Sequence, residues 1–154
     1  MAGIDFDTVA GSKLYVAVAA PTVAEGAGAA AAFAQLTWVE VGQLTSIGSV
    51  VGREYATSSL TTIGDAQTRE KKASFKLPNA EFECAWAEDD AGQILINAAS
   101  KNYSVPSFKV IKQDTQTTRY FTAQVAKFVE NNGTSDDAVK GQFTLLRQTD
   151  TVTA

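Results

Sequence analysis

The side chains best equipped for chemistry in this sequence are carboxylates and a single thiol. Glu81 and Glu83 stand two residues apart. On a strand that spacing puts both on one face, and paired carboxylates are the working groups of glycoside hydrolysis. A lysine, Lys76, falls across from them when the chain is folded back at Pro78-Asn79. Charge pairing across strands is the simpler use for such residues. Glu88, Asp89 and Asp90 are consecutive. They lack the alternating oxygen ligands and closing glutamate of a calcium loop, so they read as the acidic start of a helix. Cys84 is the one cysteine. No internal disulfide and no CxxC redox pair can form, and its place on an apolar strand face predicts a buried packing thiol. Histidine is absent. Ser-His-Asp and Cys-His catalysis and histidine metal sites are thereby excluded. No glycine-rich phosphate cradle is present. Lys71-Lys72 is balanced by Glu70 and the glutamates nearby and reads as a solvated face. The sequence predicts no catalytic residue, no metal and no cofactor.

These residues need a frame. At 154 residues with a formal charge of −4, the chain has the length of one domain, enough to bury a core without staples. A nucleic-acid binder would need the opposite charge balance. The stretch "KLYVAVAAPTVAEGAGA" imitates a signal peptide, but Asp5 and Asp7 precede it and its apolar run is short. A first strand over 12–18, with Leu14, Val16 and Val18 alternating, explains it better. No stretch has the ~20 apolar residues of a membrane span.

Further along, "AEGAGAAAAFAQ" reads as a flexible connection because of Gly26 and Gly28. "LTWVEVGQLTSIGSVV" reads as one long bent strand or two short ones, its glycines marking bends. Residues 52–70 are rich in Thr and Ser without a sustained period, and read as a long functional loop. "ASFKLPNAEFECAW" (73–86) reads as a hairpin, with Phe75 opposite Phe82 and Lys76 opposite Glu81. "EDDAGQILINAASKN" is the one convincing helix, with Ala91, Ile94, Leu95 and Ala98 as its apolar stripe and Asn102 as a left-handed stop. Three strands follow, with a bulge expected near Ala126-Lys127, where the apolar register slips to Phe128, and a turn at Asn132-Gly133. The expectation is a mainly β fold: an antiparallel β-sandwich or partly open barrel of about seven strands with one flanking α-helix. It occupies 1–154 as a single domain. Residues 1–11 form an N-terminal arm, 52–70 the long loop and 149–154 a C-terminal tail.

The order and spacing of "LTWVEVGQLTSIGSVVGREYATSSLTTIGDAQTREK", "EDDAGQILINAA" and "SFKVIK…RYFTAQVAKFVENNG…GQFTLLRQTD" resembles the major tail protein of long, flexible-tailed bacteriophages across residues 12–149. An Ala/Gly-rich insertion at 24–33 and a short tail after Thr149 depart from that pattern. The resemblance implies a structural virion protein whose hexameric rings stack into a tail tube through which DNA passes without specific binding. It implies self-association, with terminator, tape-measure and distal tail proteins as partners, assembly in the bacterial cytoplasm, and no membrane. It assigns the 52–70 loop to ring stacking, where Tyr55, Leu60 and Ile63 are apolar anchors on a polar loop and Arg53 and Arg69 are rim residues.

A sheet with open edges gains backbone partners by joining identical sheets in a ring. The channel wall must not grip phosphate, so acidic and neutral side chains suit it. Glu40, Glu81, Glu83, Thr122 and Gln124 are the lumen-facing expectations. Two alternatives stand beside this reading. One is another ring-former, a tail terminator, connector or contractile-injection tube protein. The other is a monomeric β-sandwich binding module.

Overall fold

The computed structural model describes residues 8–113 and 116–154, apart from the side chain of Asp65. Most of the expected N-terminal arm, residues 1–7, lies outside the described residues. In chain order the elements are β1 (Lys13–Ala17), α1 (Ala29–Ala34), β2 (Val39–Val41), β3 (Leu44–Ser46), β4 (Glu54–Thr62), β5 (Asp65–Lys76) and β6 (Ala80–Ala85). Then come α2 (Ala91–Ser100), β7 (Ser107–Ile111), β8 (Thr118–Asn131), β9 (Lys140–Arg147) and β10 (Val152–Thr153). The fold is mainly β, as the alternation requires, with more strands than expected and a second helix.

Eight strands form one antiparallel sheet in the order β2-β1-β7-β8-β9-β6-β3, with β10 beside β8. Its two end strands, β2 and β3, are separated by only Gly42 and Gln43. The sheet therefore curls back toward itself around one core, as a barrel left open at a seam. Inward residues from nearly every strand meet there: Leu14 and Val16, Val41, Phe82 and Cys84, Phe108, Phe121 and Val125, Phe143 and Leu145. Ile96 and Ala99 of α2 close it.

β8 serves both halves of the curl, and the expected bulge is what lets it do so. Val125 faces Leu145 and Phe128 faces Phe143, so β8 advances three residues while β9 advances two. The extra residue keeps Phe128 on the inner face instead of turning it out. Phe128 then stacks on Phe143 at 5.6 Å, and Phe143 on Phe82 at 5.1 Å.

The seam is held by the start of α2. The Asp90 carboxylate caps the helix, accepting from Gln93 N (3.0 Å), and also accepts from Gly42 N (3.1 Å). That confirms the acidic run as a helix start. The Gln93 amide, 3% exposed, accepts from Ala87 N (3.0 Å) and donates to Gly42 O (3.1 Å) and Ala85 O (3.0 Å). One side chain thus ties the β2–β3 junction, β6 and the helix approach together, with its polar atoms satisfied as burial demands.

Four expectations need correction. The β5–β6 hairpin does not exist: β5 pairs with β4, placing Phe75 opposite Tyr55 and Lys76 opposite Glu54. β6 instead lies between β3 and β9, with Phe82 opposite Phe143 and Glu81 opposite Thr144. Leu77–Asn79 is a bridge between sheets, not a turn. The helix buries Gly92, Gln93, Ile96 and Ala99; of the expected stripe Leu95 packs against the core, while Ala91 and Ala98 are exposed and Ile94 is 52% exposed. Gly92 explains the offset, since a Cβ there would sit 2.4 Å from Glu40 O, so glycine lets the helix backbone lie on β2. Lys101 is the C-cap, not a left-handed Asn102, whose side chain donates to Ala98 O (3.2 Å). Finally, the Ala-rich connection holds α1, because Phe33 is buried and stacks on Tyr120 at 5.2 Å. That contact covers part of the outer face of β8.

Candidate functional site

Residues 52–70 are not a structureless loop. β4 and β5 form a separate two-stranded sheet, turned through Ile63 and Gly64. Every residue of β4 is exposed. With both faces in water there is no reason for alternation, which is why the sequence shows no period. At ~3.4 Å per residue β4 spans about 30 Å. An isolated hairpin in water is marginal, and this one holds large apolar side chains in water. Leu60 is 68% exposed, Ile63 fully exposed, Phe75 52% and Tyr55 36%.

Its root, in contrast, is firmly tied. The buried Arg147 guanidinium donates to Gly52 O (3.0 Å) and to Thr151 Oγ1 (2.9 Å). Thr151 Oγ1 donates to Val50 O, and Arg53 pairs with Asp150. The Arg53 guanidinium also lies 4.5 Å over the Phe75 ring, and Lys72 Nζ lies 4.7 Å over Tyr55. Of the five residues expected at an inter-ring contact, Arg53 and Tyr55 therefore sit at or near the root. Leu60 lies far out on β4 opposite Arg69, and Ile63 is at the tip. The C-terminal segment 149–154 is the strap that fixes the root, a role sequence reasoning missed. Nothing local in "QTDTVTA" signals it, because most of its partners are distant in sequence: β8 for Val152 and Thr153, Thr122 for Thr149, and Val50 and Arg53, 101 and 97 residues away, for Thr151 and Asp150.

The five lumen expectations fall on outward faces but not in one place. Glu81 and Glu83 lie side by side on β6, flanked by Gln142 and Thr144 of β9 and by Lys127 of β8. Glu83 is near Lys140 Nζ (3.6 Å) and accepts from Gln142 Nε2 (3.4 Å). Gln124, on the same outer face, donates to Tyr103 O (3.1 Å). Thr122 is 4% exposed beneath the strap, its hydroxyl 3.1 Å from that of Thr149. Glu40 is at the far end of the sheet, 3.9 Å from Lys13. The Cys84 thiol is buried, and burial pushes its pKa up to about 11. Lys109 lies over Tyr15 (4.4 Å) and Trp38 (5.0 Å), and its pKa is lowered by desolvation. Among the described residues no group of acidic or thiol side chains is arranged to hold a metal ion, and no helix is long and apolar enough to cross a membrane.

No protein-family model matches the sequence, and no curated protein matches it either. Solved structures do match in fold. The chain superposes over 99% of its length on 99% of a chain from the extracellular contractile injection system PVC, in a structure of its sheath/tube terminator in the extended state (TM-score 0.63, 10% identity). It superposes over 100% of its length on 94% of a chain from the anti-feeding prophage cap, the tube terminating cap (TM-score 0.63, 12% identity). A chain of the PVC sheath-tube complex matches over 96% of this chain and 90% of its own (TM-score 0.61, 12% identity). At such identities the likeness establishes a shared fold, one used by structural components of tail-like injection machines.

Proposed function

We propose that this chain is a ring-forming structural subunit of a phage-type tail or related injection apparatus, with no catalytic role. In this reading six copies close a ring through their sheet edges, and rings stack through the β4–β5 hairpin into a tube that conducts DNA. The observation that carries it is the hairpin itself: a firmly rooted, fully solvated two-stranded arm that holds Leu60 and Ile63 out in water. Such an arm is held for a partner. Fold likeness to injection-machine components supports the same reading. Leu60 and Ile63 are its contact residues, while Arg53 and Tyr55 belong to the root. The outer face bearing Glu81, Glu83 and Gln124 is the favoured channel wall. Tail terminator, tape-measure and distal tail proteins are its partners in a virion assembled in the host cytoplasm.

A second reading is a tube terminator, favoured because two of the matched structures are described as a terminator and a terminating cap. A terminator stops at one ring, whereas a tube protein elongates. Negative-stain microscopy and sedimentation of the concentrated protein separate them. Replacing residues 54–76 by a short turn must leave folded subunits that no longer stack. Normal stacks from that deletion remove the role assigned to the hairpin.

A further inference from the structure

The hairpin root and a surface groove lie at opposite ends of the β6–β9 pair. At one end Ala80 faces Leu145, and Arg147 holds Gly52 of the root. At the other Ala85 faces Lys140, and Trp86 N donates to Val139 O (2.9 Å). About 20 Å of strand separates them. At that far end a groove of about 190 Å³ opens between the start of α2 and the part of β8 beyond its bulge. Trp86 and Phe128 meet edge to face at 5.0 Å within it, and the half-exposed Ile94 lines it. The Trp86 indole N–H is buried and has no hydrogen-bond partner among the described residues. Glu88 forms an acidic lip, with exposed Asp89 next to it.

We propose that this groove receives the hairpin of a second copy of the chain. Ile63 and Leu60 enter beside Ile94 and Trp86, and Arg69 and Lys71, which share the Leu60 face of the hairpin, lie along Glu88 and Asp89. This rests on the stacking role proposed above and supplies its missing half, the receptor. Three observations select a second copy as the occupant. Charge is complementary: residues 53–76 carry five basic and three acidic side chains, a net +2, leaving −6 on the rest of a chain of −4. Exposed apolar surface matches on the two sides: Leu60 is 68% exposed and Ile63 fully exposed on the arm, and Ile94 is half-exposed in the groove. Arm and groove sit at opposite ends, so each docking leaves a free arm at one end of the assembly and a free groove at the other. A head-to-tail contact of that kind propagates without closing on itself, which favours elongation over a single terminating ring.

The test uses the full chain with Ile63→Cys and Ile94→Cys combined; both positions are exposed, and native Cys84 is buried. Mild oxidation of the concentrated protein should give a ladder of covalent multimers on a non-reducing gel, where each single variant stops at dimer. In parallel, Glu88→Lys with Asp89→Lys should raise the concentration needed for stacking about tenfold or more, and adding Arg69→Glu with Lys71→Glu should restore it. Circular dichroism confirms that each variant is folded. Wild-type stacking with no ladder, or no rescue by the second charge reversal, overturns the groove as receptor while leaving the hairpin's role intact. A wild-type chain that never stacks overturns both.

Discussion

Replacing Gln93 by leucine tests the seam that sets the shape of the whole curl. Leucine keeps most of the side-chain volume, so the loss is polar. Three hydrogen bonds of 3.0–3.1 Å disappear, and Ala87 N–H, Gly42 O and Ala85 O lose that partner. A net hydrogen bond contributes ~1 kcal/mol, and a buried group left unpaired costs ~1–3 kcal/mol. Gly42, Ala85 and Ala87 are only half-buried, so water can reach part of the gap. The expected loss is about 2–4 kcal/mol, a large share of the ~5–15 kcal/mol that stabilises a typical domain. For a chain of this size that lowers Tm by roughly 5–15 °C. Urea denaturation monitored by circular dichroism measures it, and hydrogen exchange should quicken at the Ala87 amide. A Gln93→Leu protein within 1 kcal/mol of wild type, with unchanged Ala87 protection, would refute the view that this amide closes the seam.

Other outcomes follow from the same contacts. Gly92→Ala should destabilise the fold even though alanine favours helix by ~1 kcal/mol, because the new Cβ meets Glu40 O; thermal melting decides the sign. The raised Cys84 pKa gives a pH dependence: its contribution is fully present below the unfolded thiol's pKa near 9 and is lost as pH climbs toward 11. That loss is about 2–3 kcal/mol; it should be absent from Cys84→Ala and appear as a pH-dependent difference between the two proteins in unfolding measured from pH 8 to 11. Arg147→Met should free the strap and the hairpin root together, seen as faster hydrogen exchange at 50–53 and 149–153 while the β6–β9 amides stay protected.

Legibility in the sequence followed burial. Where one face of a strand is dry, alternation is enforced: β1, β6 and β8 were readable, and the slip to Phe128 revealed the bulge before any coordinates. The helix start was equally plain, because Asp90 acts within three residues of itself. The hairpin was hidden for the opposite reason. With every side chain of β4 in water nothing imposes a period, and Lys76 can face Glu81 or Glu54 with equal local sense. Only the sheet order shows that Glu54 is its partner. The helix face was misread because Gly92 and Gln93, poor candidates for a core by type, are buried by a close backbone approach and a three-way amide clamp. Both depend on β2, some fifty residues away. The strap at 149–154 left no local trace at all.

The central claim is that the chain finishes its structure by joining copies of itself, and negative-stain electron microscopy of the purified protein at high concentration tests it most directly. Rings of about six subunits, stacking along their axis into cylinders, are the predicted result. A folded, monodisperse 16.3 kDa species that shows neither rings nor stacks at any concentration contradicts it.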